Sequence, residues 1–337
     1  MKHINIPIFI PHLGCPNQCI FCNQKYISGN ESFNEERVET EIIKILSTVD
    51  NDDTCEIAFF GGSFTGIDRE LMIRLLETAQ NYVNSGKVSG IRMSTRPDYI
   101  SKEIIDILKR YSVNVVELGI QTMNDEILKY LKRGHTVEDT VNAIHMLNDA
   151  KIPFIGQMMI GLPKSTLEEE IYCAKRICEL GASGARIYPT LVFRMTELEK
   201  ITSNNEYAPL SIEQAVSRCA EVLNIFRQNN VPCIRIGLCD SDNLHSSDTF
   251  VAGPNSPSIG EMVKSRLFLH LISEKLIMNE FDDIIIECAK GKASQVIGNK
   301  KENINKLKTK YNLKSIKVIE NDNLTQYDTI IKKKEEA

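Results

Sequence analysis

Several features that would assign this chain to a class at once are missing from it. No uninterrupted apolar run approaches the roughly 18 residues needed to cross a bilayer, which argues against a membrane protein. The first dozen residues are interrupted by Pro7, Pro11 and polar side chains, where a secretion signal would be smoothly apolar. The expectation is therefore a soluble, cytoplasmic protein with no membrane partner. A large excess of basic charge is also missing: net charge is −5 over 337 residues, which argues against a surface coated throughout in phosphate-binding lysine and arginine. Internal repeats and low-complexity tracts are absent as well, apart from the charged end KKKEEA at 332–337.

What remains is an ordinary globular composition, 42% hydrophobic and 25% charged. The chain is longer than the usual ~100–200 residue domain, so one large domain with a smaller appendage is expected. The charge average conceals an asymmetry. Residues 289–317 hold nine lysines and one glutamate, net +8, which leaves −13 for everything else. Of ten cysteines, three crowd together at Cys15, Cys19 and Cys22. An intracellular chain of this size does not depend on disulfide staples, so the cluster suggests a metal or cofactor and the other seven are expected to stay thiols.

Short apolar, β-rich runs at 4–10, 54–60, 89–94, 113–120, 153–160 and 184–190 predict six strands. Between them lie segments at helical spacing: 68–84 with Leu71, Leu75, Ala79 and Val83 on one stripe, 101–111, 136–149, and 166–180 opened by a Thr166–Glu169 capping box. Strand, helix, strand at intervals of some 30 residues builds right-handed βαβ units and a parallel sheet. Periodicity does not choose between a partial barrel and an open doubly wound sheet. After about residue 196 the rhythm changes. A helix at 211–228 with Ser211 and Gln214 set for a capping box, a strand at 233–238, a Gly/Pro/Ser loop at 251–260, a helix at 259–278 and a small αβ tail follow. The expected division is a core at 1–195 and an extension at 196–337.

In parallel α/β folds the chemistry collects beyond the carboxyl ends of the strands. Those positions hold the cysteines, Gly61-Gly62-Ser63, Thr95-Arg96-Pro97-Asp98, Gln121 and Gly161-Leu162-Pro163. Thiolates select zinc or iron–sulfur clusters, and three of them complete neither a four-cysteine zinc site nor a fully ligated four-iron cluster. One position stays open. On the residues alone two plainer readings remain: a structural zinc knuckle with His12 as fourth ligand, or chance clustering. Glu117, Gly119 and Gln121 share parity on their strand and face one side of the sheet. Cys55, Cys173, Cys178, Cys233 and Cys239 read as small buried hydrophobes, and His135 and His145 as hydrogen-bonded structural histidines.

Cys15-x3-Cys19-x2-Cys22, with Phe21 just before the last cysteine, resembles the signature of the radical S-adenosylmethionine enzymes. That resemblance implies a partial (β/α)6 barrel. It also implies a four-iron, four-sulfur cluster on the three cysteines, with S-adenosylmethionine on the open iron, cleaved reductively to a 5′-deoxyadenosyl radical. An electron donor such as flavodoxin or ferredoxin goes with it. FFGGSF 59–64, with Gly61, Gly62 and Ser63, resembles the family's Gly-Gly motif, where backbone approaches the methionyl amino group. STRPDYI 94–100, ELGIQTM 117–123 and RGHT 133–136 are similar to the radical half of the Elongator catalytic subunit, and the Gln121 and Arg133 pair also occurs in oxygen-independent coproporphyrinogen oxidases. By this resemblance Gln121 bonds the cosubstrate ribose, Arg133 its carboxylate, and Gln157 stands where the oxidases carry a ribose-contacting aspartate.

There are departures. Ser94 replaces the glutamate of Elongator-type enzymes, the cysteines are more tightly spaced, and no segment resembles their acetyltransferase domain. The likeness covers roughly residues 5–270. It points to transfer RNA as substrate, with the 289–317 lysines as phosphate contacts or as the outer face of a solvated amphipathic helix with Ile304 and Leu307 inward. A small metabolite or porphyrin is the alternative among enzymes. A non-catalytic zinc-binding module is the alternative outside them.

Overall fold

The computed structural model describes residues 3–10, 13–15, 19–23, 33–50, 53–239, 244, 246–277 and 281–334. His12, the fourth ligand of the zinc alternative, lies outside them. Two compact units form: Met1–Leu210 with Ile225–Asn255, and Ser211–Asn224 with Ser256–Ala337.

All six expected strands of the first unit form, as β1 His3–Ile10, β2 Thr54–Gly61, β3 Gly90–Thr95, β4 Val113–Gln121, β5 Phe154–Ile160 and β6 Gly184–Pro189. A two-residue β7, Val192–Phe193, follows, then β8 Cys233–Ile236 and β9 Phe250–Ala252, of which β7 and β9 pair antiparallel. The main sheet runs β1-β2-β3-β4-β5-β6-β8, parallel throughout. β1 and β8 are its two edges, so the sheet is a curled half-barrel rather than a closed one. β8 lies beyond residue 196, where the extension was expected to begin, yet it is the seventh strand of this sheet. Its backbone extends the ladder beside β6, with Ile187 opposite Ile236.

The strands are continuous apolar runs because parallel sheets are covered on both faces. Helix Arg69–Asn84 buries Met72, Leu75, Leu76 and Ala79, worth about 1.5–3 kcal/mol for each of the three large side chains. The expected stripe is thus turned slightly, leaving Leu71 and Val83 at its half-buried margins. The Thr166–Glu169 capping box is present, and Thr136 with Asp139 forms another. Helix Leu167–Glu179 presses so closely on β5 that a Cβ at Gly156 would stand 2.6 Å from Ile177.

In the second unit β10 Asp283–Ala289 lies between β11 Ser315–Asn321, parallel, and β12 Thr329–Lys333, antiparallel. Helices Ala293–Ile297 and Glu302–Tyr311 connect β10 to β11. Its core holds Phe268 and Ile272 from helix Ile259–Leu276, Ile284 and Ile286 from β10, and Val296 and Leu307 from the connecting helices. Among the described residues no helix is long and apolar enough to cross a membrane.

Candidate active site

The loop after β1 is pressed backbone to backbone against the loop after β2. A Cβ on Gly14 would stand 2.3 Å from the Ser63 carbonyl oxygen, one on Gly62 2.3 Å from that of Leu13, and one on Gly66 2.7 Å from that of Gly14. Gly14 is also left-handed at φ 73, a conformation glycine adopts without steric cost. The glycines of the β2 loop are therefore required by the cysteine loop itself, whatever else approaches them. Cys15 Sγ lies 3.6 Å from the Ser63 hydroxyl, which is buried.

Ile20 fastens the middle of the loop. Its N–H donates to the Leu131 carbonyl at 3.2 Å, its carbonyl accepts from the Leu198 N–H at 2.7 Å, and its side chain sits in an apolar cluster with Ile127, Leu131, Leu162 and Leu198. Phe21 packs half-buried on the same cluster. Cys19 is buried and its carbonyl accepts from the Cys22 N–H at 3.0 Å. Among the described residues no three His, Cys, Asp or Glu side chains converge to hold a single metal ion. A single ion requires its ligands to meet at a point, whereas a cube takes each sulfur at a different corner.

Beside Cys19 the chain concentrates buried polar atoms without partners. Arg133, 7% exposed, donates from Nη1 to Cys19 Sγ at 3.3 Å and from Nη2 to the Gly119 carbonyl at 2.8 Å. Its Nε and the Oε1 of Gln121 have no hydrogen-bond partner among the described residues. Both side chains lie over Gly119, where a Cβ would come within 3.2 Å of each. Gln121 ends β4 at φ 68, next to a shift in the β4–β5 register. Arg96, 3% exposed, holds Asp98 bidentately at 2.9 and 2.7 Å and lies 5.6 Å over the Tyr99 ring, while its Nη1 is also unpaired. A Cβ on Gly66 of the glycine loop would stand 3.1 Å from the Tyr99 ring.

His135 departs from its expectation as a hydrogen-bonded histidine. Apart from a loose approach to the Ile120 carbonyl, neither ring nitrogen has a partner among the described residues. Burial, reinforced by the nearby Arg133 charge, pushes its pKa down to about 3, so the ring is neutral at ordinary pH.

Deeper in the half-barrel a charged ladder crosses five strands, β2 to β6. Glu117, with 0% exposure, accepts from Arg92 Nη1 at 3.2 Å, from Arg186 Nη2 at 2.7 Å and from Gln157 Nε2 at 2.9 Å. Arg92 also donates to Glu56 at 2.8 Å, Gln157 reaches the Ser94 hydroxyl at 3.4 Å, and Arg186 donates to the Tyr188 hydroxyl at 3.3 Å. Such desolvated charges persist only when paired and hydrogen-bonded. Ser94, opposite Glu117, and Gln157, opposite Gly119 and one rung before Gln121, are therefore tied to this ladder. The pattern of the sequence missed Arg92 and Arg186; the available signal was an arginine inside an otherwise apolar strand. Among the other cysteines, burial raises the thiol of Cys173 to about 12 and that of Cys178 to about 11, which keeps both protonated and inert.

A parallel half-barrel with three cysteines beyond its first strand is the architecture of a radical enzyme core. The radical SAM superfamily model matches residues 9–174 and the Radical_SAM C-terminal domain model matches residues 182–268. An uncharacterized protein of Methanocaldococcus jannaschii is 30% identical over 240 residues, which cover 66% of this chain and 71% of that protein. The chain therefore belongs to the radical SAM superfamily of enzymes, whose cofactors are a four-iron, four-sulfur cluster and S-adenosylmethionine. It is also 28% identical over 242 residues to the tRNA uridine(34) acetyltransferase of the same organism, covering 66% of this chain. It spans only 44% of that acetyltransferase's length. The structure of Methanocaldococcus infernus Elp3 superposes with a TM-score of 0.61 at 24% identity, over 81% of this chain and 63% of that one, a likeness of fold.

Proposed function

We infer that the half-barrel generates a carbon radical from S-adenosylmethionine and uses it on a nucleic-acid substrate, transfer RNA. The observation that carries the first half is the gathering of unpaired buried polar atoms, Arg133 Nε and Gln121 Oε1, beside a cysteine that Arg133 already touches. A cosubstrate with a carboxylate, an amine and a ribose diol is the kind of ligand such atoms fit. Cys15, Cys19 and Cys22 would hold three corners of the cluster. When bound and reduced, the cluster supplies the electron that splits the sulfonium of S-adenosylmethionine.

The protein's own residues bind and orient. The Arg133 guanidinium holds the carboxylate, the Gln121 amide takes the ribose, and the backbone of Gly61, Gly62 and Ser63 lies along the methionyl end. Ser94 and Gln157 stand on the ribose side, with the Glu117 ladder keeping Gln157 in place. Phe21 and Ile20 close the loop against water. Electrons come from a small carrier such as flavodoxin or ferredoxin, in the cytoplasm.

One relative, an acetyltransferase acting on transfer RNA by its name, supports that substrate class. A small metabolite or porphyrin is the second reading among enzymes, favoured by the tight spacing of the three cysteines. The test is anaerobic reconstitution followed by dithionite and S-adenosylmethionine. Release of 5′-deoxyadenosine by the wild type and none by Cys19→Ala is expected; cleavage that survives in Cys19→Ala sinks the ligand assignment. Deuterium transfer into transfer RNA, rather than into small molecules of a cell extract, decides between the substrates.

A further inference from the structure

The lysines of residues 289–317 take no part in the site above. They sit in the second unit, where β10 runs into helix Ala293–Ile297, then a four-residue turn, helix Glu302–Tyr311 and β11. The turn reads Gly298-Asn299-Lys300-Lys301. Its backbone is left-handed in φ at Gly298 (78°), Lys300 (50°) and Lys301 (63°). A Cβ at Gly298 would stand 2.9 Å from the Asn303 nitrogen, so only glycine fits there.

The turn is held firmly from below. Asn303, buried, donates from Nδ2 to the carbonyls of Ser265 at 2.9 Å, Gln295 at 3.2 Å and Val296 at 3.2 Å. Above it, Asn299, Lys300 and Lys301 are exposed. Lys290, Lys306 and Lys314 are paired with Asp322, Glu302 and Asp282. Lys300, Lys301, Lys308 and Lys317 form no ion pair among the described residues. The fixed turn thus presents two adjacent exposed lysines without a counter-charge, on a unit where Lys292, Lys308, Lys310 and Lys317 also form no ion pair among the described residues.

We propose that the second unit binds single-stranded RNA, with its sugar-phosphate backbone clamped at residues 298–301. A glycine-led four-residue turn between two short helices, beside a sheet, is how KH modules grip four nucleotides of backbone through a G-x-x-G loop. Here Lys301 occupies the place of the second glycine. It keeps the left-handed backbone that glycine would adopt, so the shape of the loop is retained and a charge is added to it. Its exposed lysines complement the phosphates of a single strand. The choice of RNA over DNA rests on the reading given above for the barrel; the surface itself is independent of the cysteines.

The test is fluorescence anisotropy of the full chain with a labelled mixed-sequence single-stranded RNA of about 12 nucleotides, titrated with salt. Wild type should bind, with affinity falling as salt rises. Lys300→Asp with Lys301→Asp should weaken binding at least about tenfold and flatten the log–log salt slope by about 1.4, at roughly 0.7 per phosphate contact on a single strand. Lys301→Gly, which preserves the turn, should flatten it by only about 0.7. Lys333→Asp with Lys334→Asp changes the same amount of charge elsewhere on the unit and should stay within about threefold of wild type. No binding by wild type, or an equal loss in both double variants, overturns the proposal. Cys19→Ala should bind RNA as wild type does, because this site needs no cluster; loss of RNA binding there would move the site to the barrel and overturn it as well. Circular dichroism of each variant excludes misfolding as the cause. Failure of deoxyadenosine release with intact RNA binding would instead strike the barrel reading alone.

Discussion

Glu117→Gln isolates the charged ladder in the half-barrel. The substitution keeps the shape of the side chain and removes its charge, at a carboxylate with no solvent exposure that faces two guanidiniums. Arg92 retains Glu56 at 2.8 Å. Arg186 keeps an amide oxygen in place of the carboxylate, the Tyr188 hydroxyl at 3.3 Å and the Phe60 ring at 5.6 Å but no counter-charge, and its Nε already lacks a partner among the described residues. One buried guanidinium is thus left uncompensated, which costs roughly 3–5 kcal/mol. For a unit of this size, at about 2–4 °C per kcal/mol, the melting midpoint should fall by roughly 6–20 °C. Urea and thermal melts followed by circular dichroism measure it against wild type. Glu117→Leu combined with Arg186→Met should recover most of the loss, since replacing both partners of a buried pair is often neutral. A loss under about 1 kcal/mol for the single variant, or no recovery in the double, would show that the ladder is not a desolvated ion network.

Three further outcomes follow from the geometry. His135 is neutral in the fold and titrates at about 3, against 6.5 when unfolded, so the unfolded chain takes up the proton first. Stability should decline by up to ~1.4 kcal/mol per pH unit as pH falls from about 6.5 toward 3, and His135→Leu should remove that part of the slope in urea midpoints. Arg133→Ala should keep the iron yet weaken S-adenosylmethionine binding by roughly 10–100-fold, the loss of charge-assisted hydrogen bonds, and Gln121→Ala by only about 2–10-fold; equal effects measured by anaerobic calorimetry would contradict their roles. Gly62→Ala places a Cβ 2.3 Å from the Leu13 carbonyl oxygen and should part the two loops, so that iron incorporation drops by at least about half with the sheet's circular dichroism unchanged.

The fold could largely be read from the chain. Parallel strands covered on both faces are continuous apolar runs, and the helices between them carry their caps in the sequence, as Thr166 and Glu169 do. The seventh strand was visible as an apolar run, but its place beside β6 was not, because pairing over 40 residues of intervening chain leaves no local signal. The cysteines and the Gly61–Ser63 loop stood out for the same reason that they pack together: both depart from periodicity. Their packing did not, since the tight approach of Gly14, Gly62 and Gly66 is a property of two loops distant in sequence. Arg92 and Arg186 are single charges on apolar strands; their partners Glu56 and Glu117 come from other strands and meet them only in space. Ile20 is the clearest omission, a hydrophobic residue between two cysteines whose backbone and side chain together anchor the loop.

The most direct test is electron paramagnetic resonance on anaerobically reconstituted, dithionite-reduced protein, with and without S-adenosylmethionine. Three thiolates and an open corner predict about four irons per chain, as a four-iron cluster requires, and a reduced-cluster signal that changes on adding the cosubstrate. A colourless protein holding zinc, or a cluster signal indifferent to S-adenosylmethionine, would contradict the account.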